Sequence, residues 1–307
     1  MLLNETAAGV YVIAVTPFRD DGALDLSSLD SMVDFYLEKG ANGLTILGMM
    51  GEAPKLTGAE SVAVSRRVLH RVDGRVPVVV GVSAPGFASM VELTRDVMDL
   101  GAAGVMVAPP PTVRTDDQIV QYYRTAGDML GATPFVLQDF PLSTQVQIAP
   151  AVLARIIEAV PTCVMIKHED WPGLAKIEAL RQASAEGGRR VSILTGNGGL
   201  FLPEELQRGA DGAMTGFAYP EMMVGICARH AAGDIDGAQD LFDAYLPLAR
   251  YEQQPGLGLA VRKYILAKRG AIASASVRRP GPKLGAADIR EIERLIARQT
   301  RRLDSLR

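Results

Sequence analysis

Along most of its length the chain repeats one alternation: a short apolar, β-branched run, then a longer run with apolar residues at helical spacing. The short runs stand at residues 10–16, 43–47, 77–82, 104–107, 135–138, 163–167, 192–195 and 212–215. Runs with no polar alternation suit strands buried on both faces, which parallel sheets covered by helices require. The helical runs between them are 26–37, 57–72, 89–100, 115–130, 150–160, 173–185 and 200–207. In the first of these, Leu29, Met32, Val33, Tyr36 and Leu37 share one face, and Gly40 supplies a stop. Thr57 with Glu60 three residues on forms a capping-box pattern.

Eight strand–helix units in about 220 residues match the count and length of a TIM (β/α)8 barrel, an α/β fold. A doubly wound open sheet ranks second, because no glycine-rich dinucleotide fingerprint follows the first run. Beyond Tyr219 only helical runs remain, at 222–230, 235–245, 258–268 and 288–301. The chain therefore reads as a barrel over residues 1–225 and a C-terminal helical extension over 226–307, packed on the barrel with no linker.

Composition narrows the function. Net charge is −3, with 22% charged residues, and the arginines form no patch. Nucleic acid and anionic membrane are not the expected partners. Cys163 and Cys227 are far apart in apolar settings and read as buried free thiols. His70, His168 and His230 lack metal-ligand spacing, so no metal is expected. No apolar run approaches about 18 residues, and the first run has no basic segment before it. The expectation is a soluble, cytoplasmic protein.

Barrel enzymes carry their chemistry at the C-terminal ends of the strands. The residues there are Thr16-Pro17, Gly48–Glu52, Gly81-Val82-Ser83, Ala108-Pro109, Gln138-Asp139, Lys167-His168, Thr195-Gly196-Asn197 and Thr215-Gly216. Only Lys167 is a lysine. Elsewhere a lysine ending a strand would snorkel to water. In a partly desolvated barrel mouth, an amine is kept partly neutral and can attack a carbonyl to form a Schiff base. The other lysines, Lys39, Lys55, Lys176, Lys263, Lys268 and Lys283, lie in polar or helical contexts.

Five motifs stand in order along the strands: Val15-Thr16-Pro17-Phe18, Gly48–Glu52 with Leu56-Thr57 after it, Ala108-Pro109-Pro110 and Ile166-Lys167 at strand ends, and Gly209-Ala210-Asp211-Gly212 before the eighth strand. On them, from about Gly9 to Pro282, the chain resembles the dihydrodipicolinate synthase / N-acetylneuraminate lyase family of class I, pyruvate-dependent aldolases. The resemblance implies a Schiff base between Lys167 and pyruvate or another 2-oxo acid. It implies no metal or nucleotide cofactor, and a homotetramer built as a dimer of dimers. The substrate carboxylate would be held near Gly48, Met49, Met50 and Met214.

The chain departs from that family at four places. Met49 and Met50 replace two threonines, Gln138 replaces the proton-relaying tyrosine, Ser143 replaces an arginine that binds the second substrate, and Pro111 replaces a tyrosine lent by a neighbouring subunit. An amide orients but does not transfer protons at neutral pH. Strand alternation puts Gln138 on the face of Val136, toward the barrel interior. His168, Glu169, Asp139, Tyr219 and water are the candidate replacements, with His168 and Asp139 on the outward parity. The expected function is a lyase acting through Lys167 and Gln138. Loss of the arginine argues against dihydrodipicolinate synthesis, and Met49, Met50 and Pro111 suit a less polar acceptor. The alternative is a non-catalytic metabolite-binding barrel. Glu52 reads as structural, residues 195–199 as a tight turn, and Trp171-Pro172 as the anchor of a helix start.

Overall fold

Among residues 1–306, which this computed structural model describes, the eight short runs become eight parallel strands closed on themselves. The first half runs β1 (Gly9–Ile13), α1 (Leu26–Glu38), β2 (Gly43–Ile46), α2 (Gly58–Val72), β3 (Val78–Gly81), α3 (Phe87–Asp99), β4 (Gly104–Val107) and α4 (Asp116–Leu130). The second runs β5 (Phe135–Asp139), α5 (Pro141–Thr144), α6 (Pro150–Ala159), β6 (Cys163–His168), α7 (Leu174–Ala185), β7 (Ser192–Thr195), α8 (Leu202–Gln207), β8 (Gly212–Thr215) and α9 (Pro220–Ala231). Each strand pairs with the next in parallel, and β8 returns to β1. This is the TIM barrel the alternation predicts.

Two apolar cores follow from strand alternation. Tyr11, Ile13, Val79, Met106, Val136 and Met165 fill the barrel interior. Val10, Val12, Val80, Phe135, Leu137 and Ile166 face the helices. The ladder loses step once: Phe135 pairs with Cys163, but Val136 pairs with Met165. Val164 is the extra residue, and it joins the interior cluster together with Met165. After this bulge alternation resumes, and Lys167 stands beside Gln138, both on the inward parity.

The helices start where the sequence places caps. Thr57 accepts from the Glu60 amide at 3.2 Å, and Glu60 accepts from the Thr57 amide at 2.9 Å. Thr115 forms a second capping box, with Gln118. Some boundaries differ from the sequence reading. β1 ends at Ile13, although the residues up to Thr16 stay buried. The four-residue α5 and a 3-10 turn at Asn197–Gly199 lie inside stretches read as loop or turn.

The extension comprises α10 (Ile235–Glu252), α11 (Gly258–Lys268) and α12 (Ala286–Asp304). α10 runs through Pro247 rather than ending at Tyr245, because Leu248, Ala249 and Glu252 beyond the proline are buried. A boundary at 225/226 would cut α9, which contacts β1 on one side and α10 on the other. The extension is tied to the barrel by buried charge. Lys263 donates to Glu52 Oε1 at 2.6 Å and to the carbonyls of Thr16 and Ser276 at 2.8 Å. Arg262 pairs with Glu252 at 2.6 Å and donates to the Gly216 carbonyl. Among the described residues, no helix is long and apolar enough to cross a membrane.

Candidate active site

The ends of β5 and β6 bring three polar side chains together, next to Gly196 at the end of β7. Lys167 Nζ lies 2.7 Å from Glu169 Oε2, and Gln138 Nε2 donates to the same oxygen at 2.7 Å. All three residues are buried. Glu169 lies two residues after Lys167 and one past the end of β6, and its carboxylate turns back to the Lys167 amine. The main chain of Glu169 is held as well: its amide donates to the Asp139 carbonyl at 2.8 Å, and its carbonyl accepts from Asn197 Nδ2 at 3.2 Å.

Gly196, at the end of β7, completes the enclosure. A Cβ there would stand 2.2 Å from Glu169 Cγ and 2.6 Å from Oε1, so only glycine lets the carboxylate lie where it does. Chemically, the trio offers an amine to add to a carbonyl, a carboxylate to take its proton, and an amide to aim that carboxylate.

The predicted binding residues divide. Gly48 precedes a 3-10 turn, Met49–Gly51, held by Thr16 Oγ1 donating to the Gly51 carbonyl at 2.6 Å. The Met50 side chain packs on the interior cluster. That of Met49 is 42% exposed and turns to the rim, where its sulfur accepts from Ser143 Oγ at 3.0 Å. The Met214 side chain is fully buried in the same interior cluster.

The other proton-transfer candidates lie elsewhere. Asp139 and His168 point outward as parity predicts, with Lys176 Nζ 2.8 Å from Asp139 Oδ2. Tyr219 packs against Phe217 and Tyr245 under the Arg269 guanidinium, among the C-terminal helices. Glu52 is structural, gripped by Lys263, Lys55 and the Arg278 amide. Lys263 and Lys176 are both buried, against their polar and helical sequence contexts.

The model of the dihydrodipicolinate synthetase family matches residues 6–299. The chain belongs to that family. Within it, the L-2-keto-3-deoxyarabonate dehydratase of Azospirillum brasilense is 34% identical, over 90% of this chain and 89% of its own length. The 4-hydroxy-tetrahydrodipicolinate synthase of Sorangium cellulosum is 32% identical over 98% and 97%. Among solved structures, a dihydrodipicolinate synthase from Rhodopseudomonas palustris superposes with a TM-score of 0.95 at 52% identity, covering 97% of this chain and 99% of that one. A chloride-inhibited dihydrodipicolinate synthase from Acinetobacter baumannii, complexed with pyruvate, gives 0.85 at 25% identity over 95% and 99%. Members of the dihydrodipicolinate synthetase family are lyases, so the mouth of this barrel is where such chemistry belongs.

Glu169 is the functional residue that the sequence reading did not single out, although it stood among the five possible proton carriers. The available signal was its spacing from Lys167. That spacing alone did not fix its direction, because β6 ends at His168, one residue before it.

Proposed function

We propose that this protein is a Schiff-base lyase that dehydrates a 2-oxo acid bearing a hydroxyl two carbons from its carbonyl. The observation that carries the reading is the placement of Glu169 Oε2 at 2.7 Å from both Lys167 Nζ and Gln138 Nε2. Glu169 takes a proton from Lys167, the free amine adds to C2, and Glu169 returns that proton to the departing hydroxyl, which leaves as water and gives a protonated imine beside a carboxylate again ready to act as base. That imine is an electron sink that acidifies the C3 protons. Glu169 lies beside the imine nitrogen, within reach of C3, and removes one of them. The resulting enamine expels the C4 hydroxyl, which leaves as water with the proton Glu169 holds. Hydrolysis of the imine releases an unsaturated 2-oxo acid and restores Lys167, so the sum is loss of one water. Backbone amides at Met49 and Met50 receive the substrate carboxylate.

Gln138 fixes which oxygen of Glu169 faces the substrate, and one carboxylate thereby serves where the resemblance leads one to expect a tyrosine. The name of the Azospirillum relative supports a dehydration, and the pyruvate-bound synthase supports a 2-oxo acid. A non-catalytic binder would need neither a buried lysine nor a base aimed at it. The assembly is read as a homotetramer built of dimers, which light scattering on the purified chain would measure.

The test is to incubate the protein with pyruvate and with 2-oxo-3-deoxy sugar acids, reduce with borohydride, and locate added mass. Lys167 is expected to carry the adduct, and Lys167→Ala to carry none. Turnover of a 3-deoxy acid without pyruvate release marks dehydration, whereas pyruvate release marks aldol cleavage. Absence of any adduct at Lys167 would overturn the Schiff base. Glu169→Gln is expected to trap substrate but to turn over at least about a hundredfold slower.

A further inference from the structure

Behind the strand ends, outside the barrel, one ammonium touches two carboxylates. Lys176, in the first turn of α7, has Nζ 2.8 Å from Asp139 Oδ2 and 2.8 Å from Asp170 Oδ2. Asp139 follows Gln138 directly, and Asp170 follows Glu169 directly. The hydrogen bond between Gln138 and Glu169 inside the mouth therefore has a counterpart outside it, through the residue after Gln138 at the end of β5 and the residue after Glu169 in the loop that follows β6. We propose that Lys176 is a positioning residue for Glu169, acting through Asp139 and Asp170 to hold the two strand ends at the separation the Gln138–Glu169 contact needs. The inference rests on the reading of Lys167, Glu169 and Gln138 as the reacting set.

Three observations support the clamp. The Lys176 and Asp139 side chains are buried, with 8% and 0% exposed, while that of Asp170 is one-quarter exposed, so the inner arm is fully desolvated and the outer arm partly so. A buried ion pair of this kind adds little net stability over apolar packing, and its distinctive product is geometry. The neighbouring contacts tie the ends of β5 and β6 to the loop that carries Glu169, and His168 Nδ1 also lies 3.5 Å from Asp139 Oδ2. The Asp139 carbonyl accepts from the Glu169 amide, His168 Nε2 lies 3.1 Å from the Gly173 carbonyl, and Asp170 Oδ1 accepts from the Trp171 amide at 3.0 Å. Glu169 thus has a link on each side of its own peptide, and Lys176 joins the two links.

The experiment compares wild type, Asp170→Asn, Lys176→Met and Lys176→Arg by steady-state kinetics on a 3-deoxy 2-oxo acid and by borohydride trapping of pyruvate on Lys167. Asp170→Asn leaves the buried inner arm intact, so it folds, and kcat is expected to fall severalfold with KM held within about twofold. Lys176→Met is expected to lose about ten- to a hundredfold in kcat while still trapping pyruvate to completion, because Glu169 moves and Lys167 does not. Lys176→Arg is expected to recover much of that loss. Equal kcat in wild type and Asp170→Asn would overturn the clamp, and so would parallel loss of trapping and turnover, which would mean the triad holds Lys167. If Lys176→Met does not fold, Asp170→Asn decides alone. A wild-type protein that forms no adduct overturns the Schiff-base reading and the clamp together. One that forms it and turns over, with Asp170→Asn its equal, overturns the clamp only.

Discussion

Replacing Gly196 by alanine is the sharpest perturbation of this site, because it adds one methyl group and removes no polar atom. The new Cβ would lie 2.2 Å from Glu169 Cγ, 2.6 Å from Oε1 and 2.7 Å from Cδ. Apolar carbons rest about 3.5–4.0 Å apart, so the Glu169 side chain must retreat by more than about 1 Å. Both of its 2.7 Å contacts, to Lys167 and Gln138, would then stretch past hydrogen-bonding distance. The backbone adds to the change rather than easing it, since Gly196 stands at φ −112° and ψ −141°, outside the α and β regions that alanine prefers. A displacement of 1 Å at a reacting group costs about a hundredfold in rate, near 2.7 kcal/mol of barrier. The assay is kcat on a 3-deoxy 2-oxo acid, beside borohydride trapping of pyruvate and a thermal melt. Expected are a folded protein, an intact adduct on Lys167, and kcat down about a hundredfold. A variant within threefold of wild-type kcat would refute the assignment of Glu169, since the carboxylate cannot stay in place.

Two predictions concern stability. Burial raises the carboxyl of Glu205, on α8, from 4.5 to about 7, while a hydrogen bond from Thr195 opposes the shift. A folded-state value above the unfolded one means the stabilising proton is bound in full below pH 4.5 and lost as pH rises through about 7. Glu205→Gln is therefore expected to gain on wild type by about 3 kcal/mol between pH 4.5 and 8 in urea melts, and a constant difference across that window would refute it. Lys263→Met leaves the buried Glu52 without its closest cation and two carbonyls without a donor. It is expected to cost about 3–5 kcal/mol by denaturant melt, and a loss under about 1 kcal/mol would sink the view that this lysine anchors the extension.

The barrel was legible because each strand is buried on both faces, which removes the polar alternation and leaves runs such as Val78–Gly81 unmistakable. Lys167 was legible by elimination, as the sole lysine at a strand end, and Gln138 by its parity with Val136. Glu169 was harder, because it lies one residue past the end of β6 at His168, where strand alternation no longer guarantees direction. What turns it inward is a set of tertiary contacts: the Asp139 carbonyl, Asn197 and the bare Cα of Gly196. The burial of Lys176 and Lys263 was equally out of reach, since their carboxylate partners are distant in sequence: Asp139 is 37 residues away and Glu52 is 211.

The single unpaired residue at Val164 has a consequence for how such a site can be gained or lost. Counted without a bulge from the outward-facing Cys163, Lys167 would point at the helices and His168 into the mouth. Lys167 is inside only because one more residue is spent on β6 than on β5. A lineage could thus silence this lysine without mutating it, by deleting one valine upstream, and one in-frame insertion could bring it back. Comparing such barrels by whether the lysine is present therefore misses half the question; the parity of the residues leading up to it decides which side of the wall it serves.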